Sequence, residues 1–397
     1  MKACGIVVEY NPFHNGHHYH ATLAKKQTGS DVVIAVMSGN FVQRGEPAIC
    51  SKWERTQMAL ENGCDLVVEL PYAFATQKAE TFAYGAVSIL DALKCDTLVF
   101  GSENGETKPF FDTIDALEQH REQIDAIITS YIKKGNTYAL AYQQSIKALS
   151  INLPIDLSLP NNILGLEYIK AAKKIKSSMR LETIKRIHAG YHDEQLNDTT
   201  IASATAIRKL IATEYPLLNK VMPSGNIELI RQFEENYGIL PTWENYYPFL
   251  KYKILSSTPE QLKEIYEVEE GIEYRLIEKM RISSSFEEFI QLVKTKRYTQ
   301  VKLQRMCVHI LLHTKKEILK QVEPSYIRLL GMTSTGRAYL NETKKQLKLP
   351  LIAKISASDD PMLQLDIKAS TIYSLGLSKN QNQFTKKEYA QAPIQIN

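Results

Sequence analysis

Two imidazoles stand three positions apart near the start of the sequence, in His14-Asn15-Gly16-His17. Imidazole N–H groups can donate hydrogen bonds, and a pair of them suits a phosphate whose negative charge grows during reaction. Gly16 lacks a side chain, so another group can approach the backbone between the two rings. The preceding run from Gly5 to Val8 is apolar with β-branched residues and is ended by Asn11-Pro12, which predicts a buried strand that stops abruptly. The residues that follow open a helix. A strand, a tight turn and a helix N-terminus form an anion site, because free N–H groups and the helix dipole point at one spot.

Other chemistries are poorly supported. His14, His17, His18 and His20 follow neither HExxH nor a Cys/His finger spacing, so no metal site made of protein side chains is expected. No GxSxG elbow is present for a serine hydrolase. The five cysteines (Cys4, Cys50, Cys64, Cys95, Cys307) form no CxxC pair, which indicates buried thiols rather than disulfides or a zinc site. No apolar run reaches the roughly 18 residues of a membrane span, and a soluble cytoplasmic protein is expected.

The elements that must position the imidazoles alternate. Asp31–Met37, Asp65–Leu70, Thr97–Gly101 and Met179–Ile187 read as further strands. Helices are expected from Ser51 to near Gly63, from Gln77 to Leu93 and from Pro160 to Lys176, with two or three amphipathic helices between Pro109 and Ser150 as cover. Continuous apolar strands between helices imply an α/β fold with a Rossmann-like parallel sheet, its ligands at the strand carboxyl ends. His14, Ser38, Gly39, Pro71, Gly101 and Ser102 should then share one edge. Gly101-Ser102-Glu103 could bring backbone close to a nucleotide or be a plain turn. Asn162 could contact a purine edge or cap its helix.

The net charge of +4 is unevenly placed. Residues 1–210 carry 22 basic and 23 acidic side chains; residues 294–348 carry 13 and 3, a local net of +10. Lys294, Lys296, Arg297, Lys302 and Arg305 belong to this window, with Tyr298 and Tyr326 among them. Such a concentration suits a polyanion, although a solvated helical face has the same composition. From Thr213 the pattern becomes long helical segments at 226–237, 259–281, 285–294 and 300–319, followed by a possible strand after Pro350 and a helix from Asp360-Pro361. Two domains are expected, 1–212 and a mainly helical, basic 213–397. Oligomeric state leaves no trace.

His14-Asn15-Gly16-His17 after a first strand resembles the HxGH signature of the nucleotidyltransferase superfamily. The longer run from Glu9 to His17, with the later motifs, resembles the bacterial tRNA(Met) cytidine acetate ligase family across nearly the whole chain. Ala202-Ser203-Ala204-Thr205-Ala206-Ile207-Arg208 is similar to the ISSTxIR element, whose hydroxyls and N–H groups hold the outer phosphates of ATP. Ala202 and Ala204 depart from it. The resemblance implies ATP contacts by Val7, Val8, Glu9, Tyr10, Asn11, Pro12, Phe13, His14, Asn15, Gly16, His17 and His20, then by Gly101, Asn162, Arg186, Ile187, Ser203, Thr205 and Arg208. Arg208 could alternatively pair with an acidic neighbour. It further implies His14 and His17 as catalytic groups, ATP and acetate as substrates with Mg²⁺ accompanying ATP, and elongator tRNA(Met) as the acceptor of N4-acetylation. A small-molecule adenylyltransferase would share the nucleotide site but would not account for the basic half. A noncatalytic RNA-binding protein with a vestigial pocket is the third reading.

Overall fold

The computed structural model describes residues 1–136, 138–186, 200–269, 271–320, 322–355 and 360–397. In the first half, β1 (Ala3–Val8), α1 (Asn15–Thr28), β2 (Val32–Ser38), α2 (Lys52–Glu61), β3 (Leu66–Leu70), α3 (Ala79–Ala92) and β4 (Thr97–Ser102) alternate. Three helices then intervene before α4 (Pro160–Lys174), β5 (Arg180–Lys185) and α5 (Ala204–Thr213). Every residue of β2 and β3 is buried, as their apolar character, broken only by Ser38 and Glu69, requires when helices cover both faces. The three intervening helices carry a small core of their own around Ile124, Ile128 and Ala141.

The sheet runs β5-β4-β1-β2-β3-β6-β7, where β6 (Ile327–Thr333) and β7 (Leu351–Ile352) come from the later half and β8 (Ile394–Ile396) also pairs with β6; β1 to β5 are mutually parallel. From β1 the chain moves outward through β2 and β3. It then crosses back to place β4 on the other flank of β1, so the strand order reverses between β1 and β4. In an open parallel sheet this reversal leaves a crevice at the strand carboxyl ends. The α/β class expected from the sequence is borne out.

The later half is helical through α6 (Trp243–Leu255) and α7 (Gln300–Leu311), then returns to the sheet in β6 (Ile327–Thr333), β7 (Leu351–Ile352), α8 (Pro361–Ser374), α9 (Gln381–Ala390) and β8 (Ile394–Ile396). β6 pairs antiparallel with β3, so strands from both sides of residue 213 share one sheet. No strand was expected at 327–333, because Arg328 interrupts the apolar pattern. Its charge is met inside: Arg328 lies 3.5 Å from Glu69 and 3.1 Å from Glu388. Lys52, fully buried, bonds the same two carboxylates at 2.7 Å each. The helices expected over 259–281 and 300–319 are also shorter. The first is split into Pro259–Lys263 and Ile272–Ile282 around Glu267 and Gly271, both in left-handed backbone. The second stops at Leu311, where His313 turns left-handed and Lys315 bridges to Ile265.

Candidate functional site

His14 is the N-cap of α1, and its ring works on its own helix. Its Nδ1 accepts from the Gly16 N–H at 3.1 Å, and the His17 Nδ1 accepts from the His14 N–H at 3.3 Å, closing a reciprocal capping box made of two histidines. The rings stack with centroids 3.7 Å apart. An added Cβ at Gly16 would come within 2.9 Å of the His14 ring, so the glycine is what lets that ring fold back onto the turn.

This geometry fixes the tautomers. A nitrogen that accepts carries no proton, so in each neutral ring the proton resides on Nε2. Neutrality is enforced by the surroundings. Burial, then the Arg186 guanidinium, lowers His14 to about 3. His17 is held well below its ordinary value by burial, then by His14, Arg186 and His20. Burial and Arg186 bring His20 to about 4. Two Nε2–H donors thus remain uncharged at neutral pH.

Arg186 follows β5, its N–H bonded to the Ser102 carbonyl at the end of β4, and its side chain passes across Gly101, 3.4 Å from where a Cβ would be. The end of β5 therefore carries a cation over the end of β4 toward the histidines that follow β1, across the strand-order reversal. α5 joins them from a third direction. Asn15 Nδ2 donates to the Thr200 and Lys220 carbonyls at 2.9 and 3.1 Å, and Arg208 Nη1 donates to the Asn11 carbonyl at 2.9 Å. Ser203 caps α5 by accepting from the Ala206 N–H at 3.2 Å, and Thr205 lies exposed in the first turn. The dipole of α5 starts beside that of α1. Arg208 also forms the structural pair open to it in the sequence, 3.2 Å from Glu46.

The remaining expected residues divide. Val7, Val8, Tyr10, Pro12 and Phe13 belong to the strand end and turn, with Tyr10 and Phe13 packed against the His17 ring at 4.9 and 5.7 Å. Asn11 accepts from the Ile49 N–H through Oδ1 at 2.8 Å, and its bond to Pro12 is cis. Glu9 accepts from the Gln43 N–H at 2.6 Å, its pKa raised chiefly by burial. Asn162 does not cap α4; Leu159 occupies that position. Ile187 lies outside the described residues.

The basic residues do not form one surface. Lys294, Lys296 and Arg297 are exposed between Phe286–Val293 and α7. Lys302 lies 4.7 Å over the Tyr298 ring. Arg305 turns inward, donating three hydrogen bonds to the Glu267 carboxylate at 2.8 to 3.2 Å, and Arg328 is in the buried network. Tyr298 and Tyr326 are buried and are not presented for stacking on bases. Among the described residues no cluster of three metal-ligating side chains exists, and no helix is long and apolar enough to cross a membrane. All five cysteines are free and buried.

Sequence reasoning missed Arg55. Fully buried on α2, it donates to the carbonyl oxygens of Glu9 at 2.7 Å, Ser38 at 3.0 Å, Cys50 at 3.2 Å and Gly39, tying together the ends of β1 and β2. The loop 41–47 does more than connect β2 to α2. Its Gly45 carbonyl accepts from Trp243 Nε1 at 2.8 Å, and Gly45, at φ 74°, packs where a Cβ would meet the Arg305 backbone at 2.3 Å. The loop therefore touches the helical half through Gly45 and Arg208 through Glu46.

Comparison with known proteins gives a consistent set of likenesses. Residues 1–388 match the HIGH Nucleotidyl Transferase family. The tRNA(Met) cytidine acetate ligase of Halalkalibacterium halodurans is 49% identical, covering 100% of this chain and 98% of the relative. That of Bacillus subtilis is 47% identical, covering 99% and 97%. The crystal structure of Thermotoga maritima TmcAL bound with alpha-thio ATP superposes with a TM-score of 0.90 at 33% identity, covering 100% of this chain and 99% of that one. The apo form of the Thermotoga protein gives 0.92 at 32% identity, with full coverage of both.

Proposed function

The chain belongs to the HIGH nucleotidyl transferase family and, within it, to the tRNA(Met) cytidine acetate ligases, and from that premise we propose how its residues divide the work. It is an ATP-dependent ligase that forms N4-acetylcytidine at the wobble position of elongator tRNA(Met). An acetate oxygen attacks the α-phosphorus of ATP, the bond to the bridging oxygen breaks and pyrophosphate leaves, giving acetyl-adenylate. The cytidine N4 then attacks the acetyl carbonyl, loses a proton and expels AMP. No covalent enzyme nucleophile is needed.

The observation that carries this assignment of roles is the pair of backbone N–H to Nδ1 hydrogen bonds at the two stacked histidines. Their backbone-capped Nδ1 atoms leave two neutral Nε2–H donors at a helix N-terminus, suited to the charge that builds on α-phosphate oxygens during pentacoordination. Because the rings are already neutral and their Nδ1 atoms are held, little reorganisation is required when that charge appears. Arg186 supplies the positive charge at the crevice. Ser203, Thr205 and Arg208 hold the outer phosphates at the start of α5. Mg²⁺ would accompany the triphosphate and offset part of its negative charge.

Residues 1–212 form the nucleotide-binding part, completed by the strands that return after residue 327. The exposed cations Lys294, Lys296 and Arg297, with Lys302, contact the tRNA backbone. A cytoplasmic location follows from a tRNA substrate. The test is incubation of the purified protein with ATP, labelled acetate and tRNA. Label in RNA that requires ATP is expected. AMP transfer to a pantetheine-like acceptor, or RNA binding with no turnover, overturns the assignment.

A further inference from the structure

Acyl transfer to a cytidine amine needs a base. The N4 nitrogen is conjugated with its ring, and it becomes an amide only if a proton leaves as the new bond forms. The histidines of the crevice do not suit that task. His14 and His17 carry their protons on Nε2 and turn Nδ1 to backbone N–H groups, and His20, lowered to about 4, has its Nε2 enclosed. Two carboxylates are also occupied. Glu46 is paired with Arg208, and Glu103 has one oxygen bonded to Asn161 at 2.6 Å and the other enclosed.

Glu9 differs from all of these. It is the first residue past β1, the strand beside which the sheet order reverses. Its backbone carbonyl accepts from Arg55 at 2.7 Å and its Oε1 from the Gln43 N–H at 2.6 Å, so both ends of the residue are held. Oε2 has no hydrogen-bond partner among the described residues, and the side chain is only half-buried. Tyr168 on α4, with Arg44, Glu46 and Arg208, lies within electrostatic reach of the carboxylate. Glu9 therefore stands between the helix that packs on β4 and the loop that follows β2, over the strand-order reversal. The same loop meets the helical half, where Gly45 packs on the Arg305 backbone one helical turn after Lys302. A polynucleotide held by Lys302 thus arrives at the loop that fixes Glu9.

We propose that Glu9 is the general base of acetyl transfer, its Oε2 accepting a proton from cytidine N4. The proposal rests on the reading of the protein as a tRNA acetate ligase. As the N4 lone pair forms the C–N bond to the acetyl carbonyl carbon, one N4 proton passes to Oε2. The carbonyl is restored when the C–O bond to phosphate breaks and its electron pair leaves with AMP. Glu9 then releases its proton to solvent. Burial raises the pKa of this carboxyl, and Glu46 adds to the effect against the Gln43 N–H, Arg44 and Arg208, which makes the carboxylate a stronger base.

The test separates the two half-reactions in the full-length wild type, Glu9→Gln and Glu9→Asp. Glutamine keeps an oxygen for the Gln43 N–H but is not a base. Glu9→Gln should lower single-turnover transfer of labelled acetyl from acetyl-adenylate to tRNA by about 100- to 1,000-fold, and acetate-dependent ATP–pyrophosphate exchange by no more than about threefold. Glu9→Asp, with its carboxylate withdrawn by one methylene, should recover part of the transfer. Wild-type transfer should rise with pH through an inflection above the ordinary carboxylate range, and Glu9→Gln should lack that inflection. Equal losses in exchange and transfer, undiminished transfer by Glu9→Gln, or a wild-type profile with no inflection overturns the proposal and leaves the ligase assignment intact. A wild type that forms acetyl-adenylate yet puts no label into RNA overturns both.

Discussion

Arg208 and Glu46 form an ion pair at 3.2 Å that links the N-terminal half of α5 to the loop 41–47, each side chain a little over a quarter exposed. A pair this exposed contributes roughly 1 kcal/mol or less. It can be given up when a triphosphate offers a stronger partner. Arg208→Ala should raise the KM for ATP about tenfold, as expected for the loss of one charged hydrogen-bonding group. Glu46→Gln should leave the melting temperature nearly unchanged and lower that KM, since the competing carboxylate is gone. Acetate-dependent ATP–pyrophosphate exchange, followed against ATP concentration, reads both.

Removing one of the two Nε2–H donors should cost catalysis more than binding. His17→Ala is expected to lower the exchange rate by about 100- to 1,000-fold, with tRNA affinity unchanged in a filter-binding titration. His14→Ala adds a folding penalty of about 1 kcal/mol, because the same ring is the cap of α1.

The histidines also set a pH dependence. His14 and His20, lowered to about 3 and about 4, bind protons more readily in the unfolded chain, whose histidines titrate near the ordinary 6.5. Their stabilising effect is complete above that value and is lost as pH falls toward the native values. Asp366, raised by burial and by Glu69, works in the opposite direction, because its neutral form is lost as pH rises. Subtracting His14→Asn, which retains a capping side chain, isolates the first effect. The melting-temperature advantage of the wild type over this variant should shrink between pH 7 and pH 4.

Lys52 holds two buried carboxylates apart. Lys52→Met leaves Glu69 and Glu388 facing Arg328 alone and should destabilise by about 3–5 kcal/mol. Urea denaturation gives the magnitude. Limited proteolysis should release α9 first, because the loss leaves the Lys387–Glu54 pair as its remaining ion pair to α2.

The cationic residues separate into two classes by burial. Lys296→Ala with Arg297→Ala should weaken tRNA binding and reduce the slope of log affinity against log salt by about 1 to 2. Arg305→Ala should instead lower stability by leaving Glu267 unpaired, with the salt slope unchanged. Affinity measured over a salt series, beside thermal melts, distinguishes them.

The parts legible in the sequence were those governed by local pattern. Val32–Ser38 and Leu66–Leu70 are apolar runs broken only by Ser38 and Glu69, and the histidine turn sits where strand gives way to helix, so their positions follow from the pattern and Asn11-Pro12. Arg208 beside Asn11 and the cap at Ser203 also follow from a motif. What escaped depends on contacts distant in sequence. Arg328 reads as a surface cation until Glu69 and Glu388 are known to surround it. Arg305 reads as one of a basic series until Glu267, in left-handed backbone, is brought under it. Asn162 reads as a capping residue until Leu159 is seen to occupy that place.

The antiparallel pairing of β6 on β3 has a consequence for synthesis. As the polypeptide leaves the ribosome, the first three strands and their helices can assemble early, yet the outer side of β3 has no partner until Ile327 and its neighbours have been made. Throughout that interval the nascent sheet exposes an apolar ladder edge open to pairing with another copy. A polypeptide stopped at residue 212 would keep that edge permanently, so cellular protection of the growing chain matters more here than for a sheet finished within its first half.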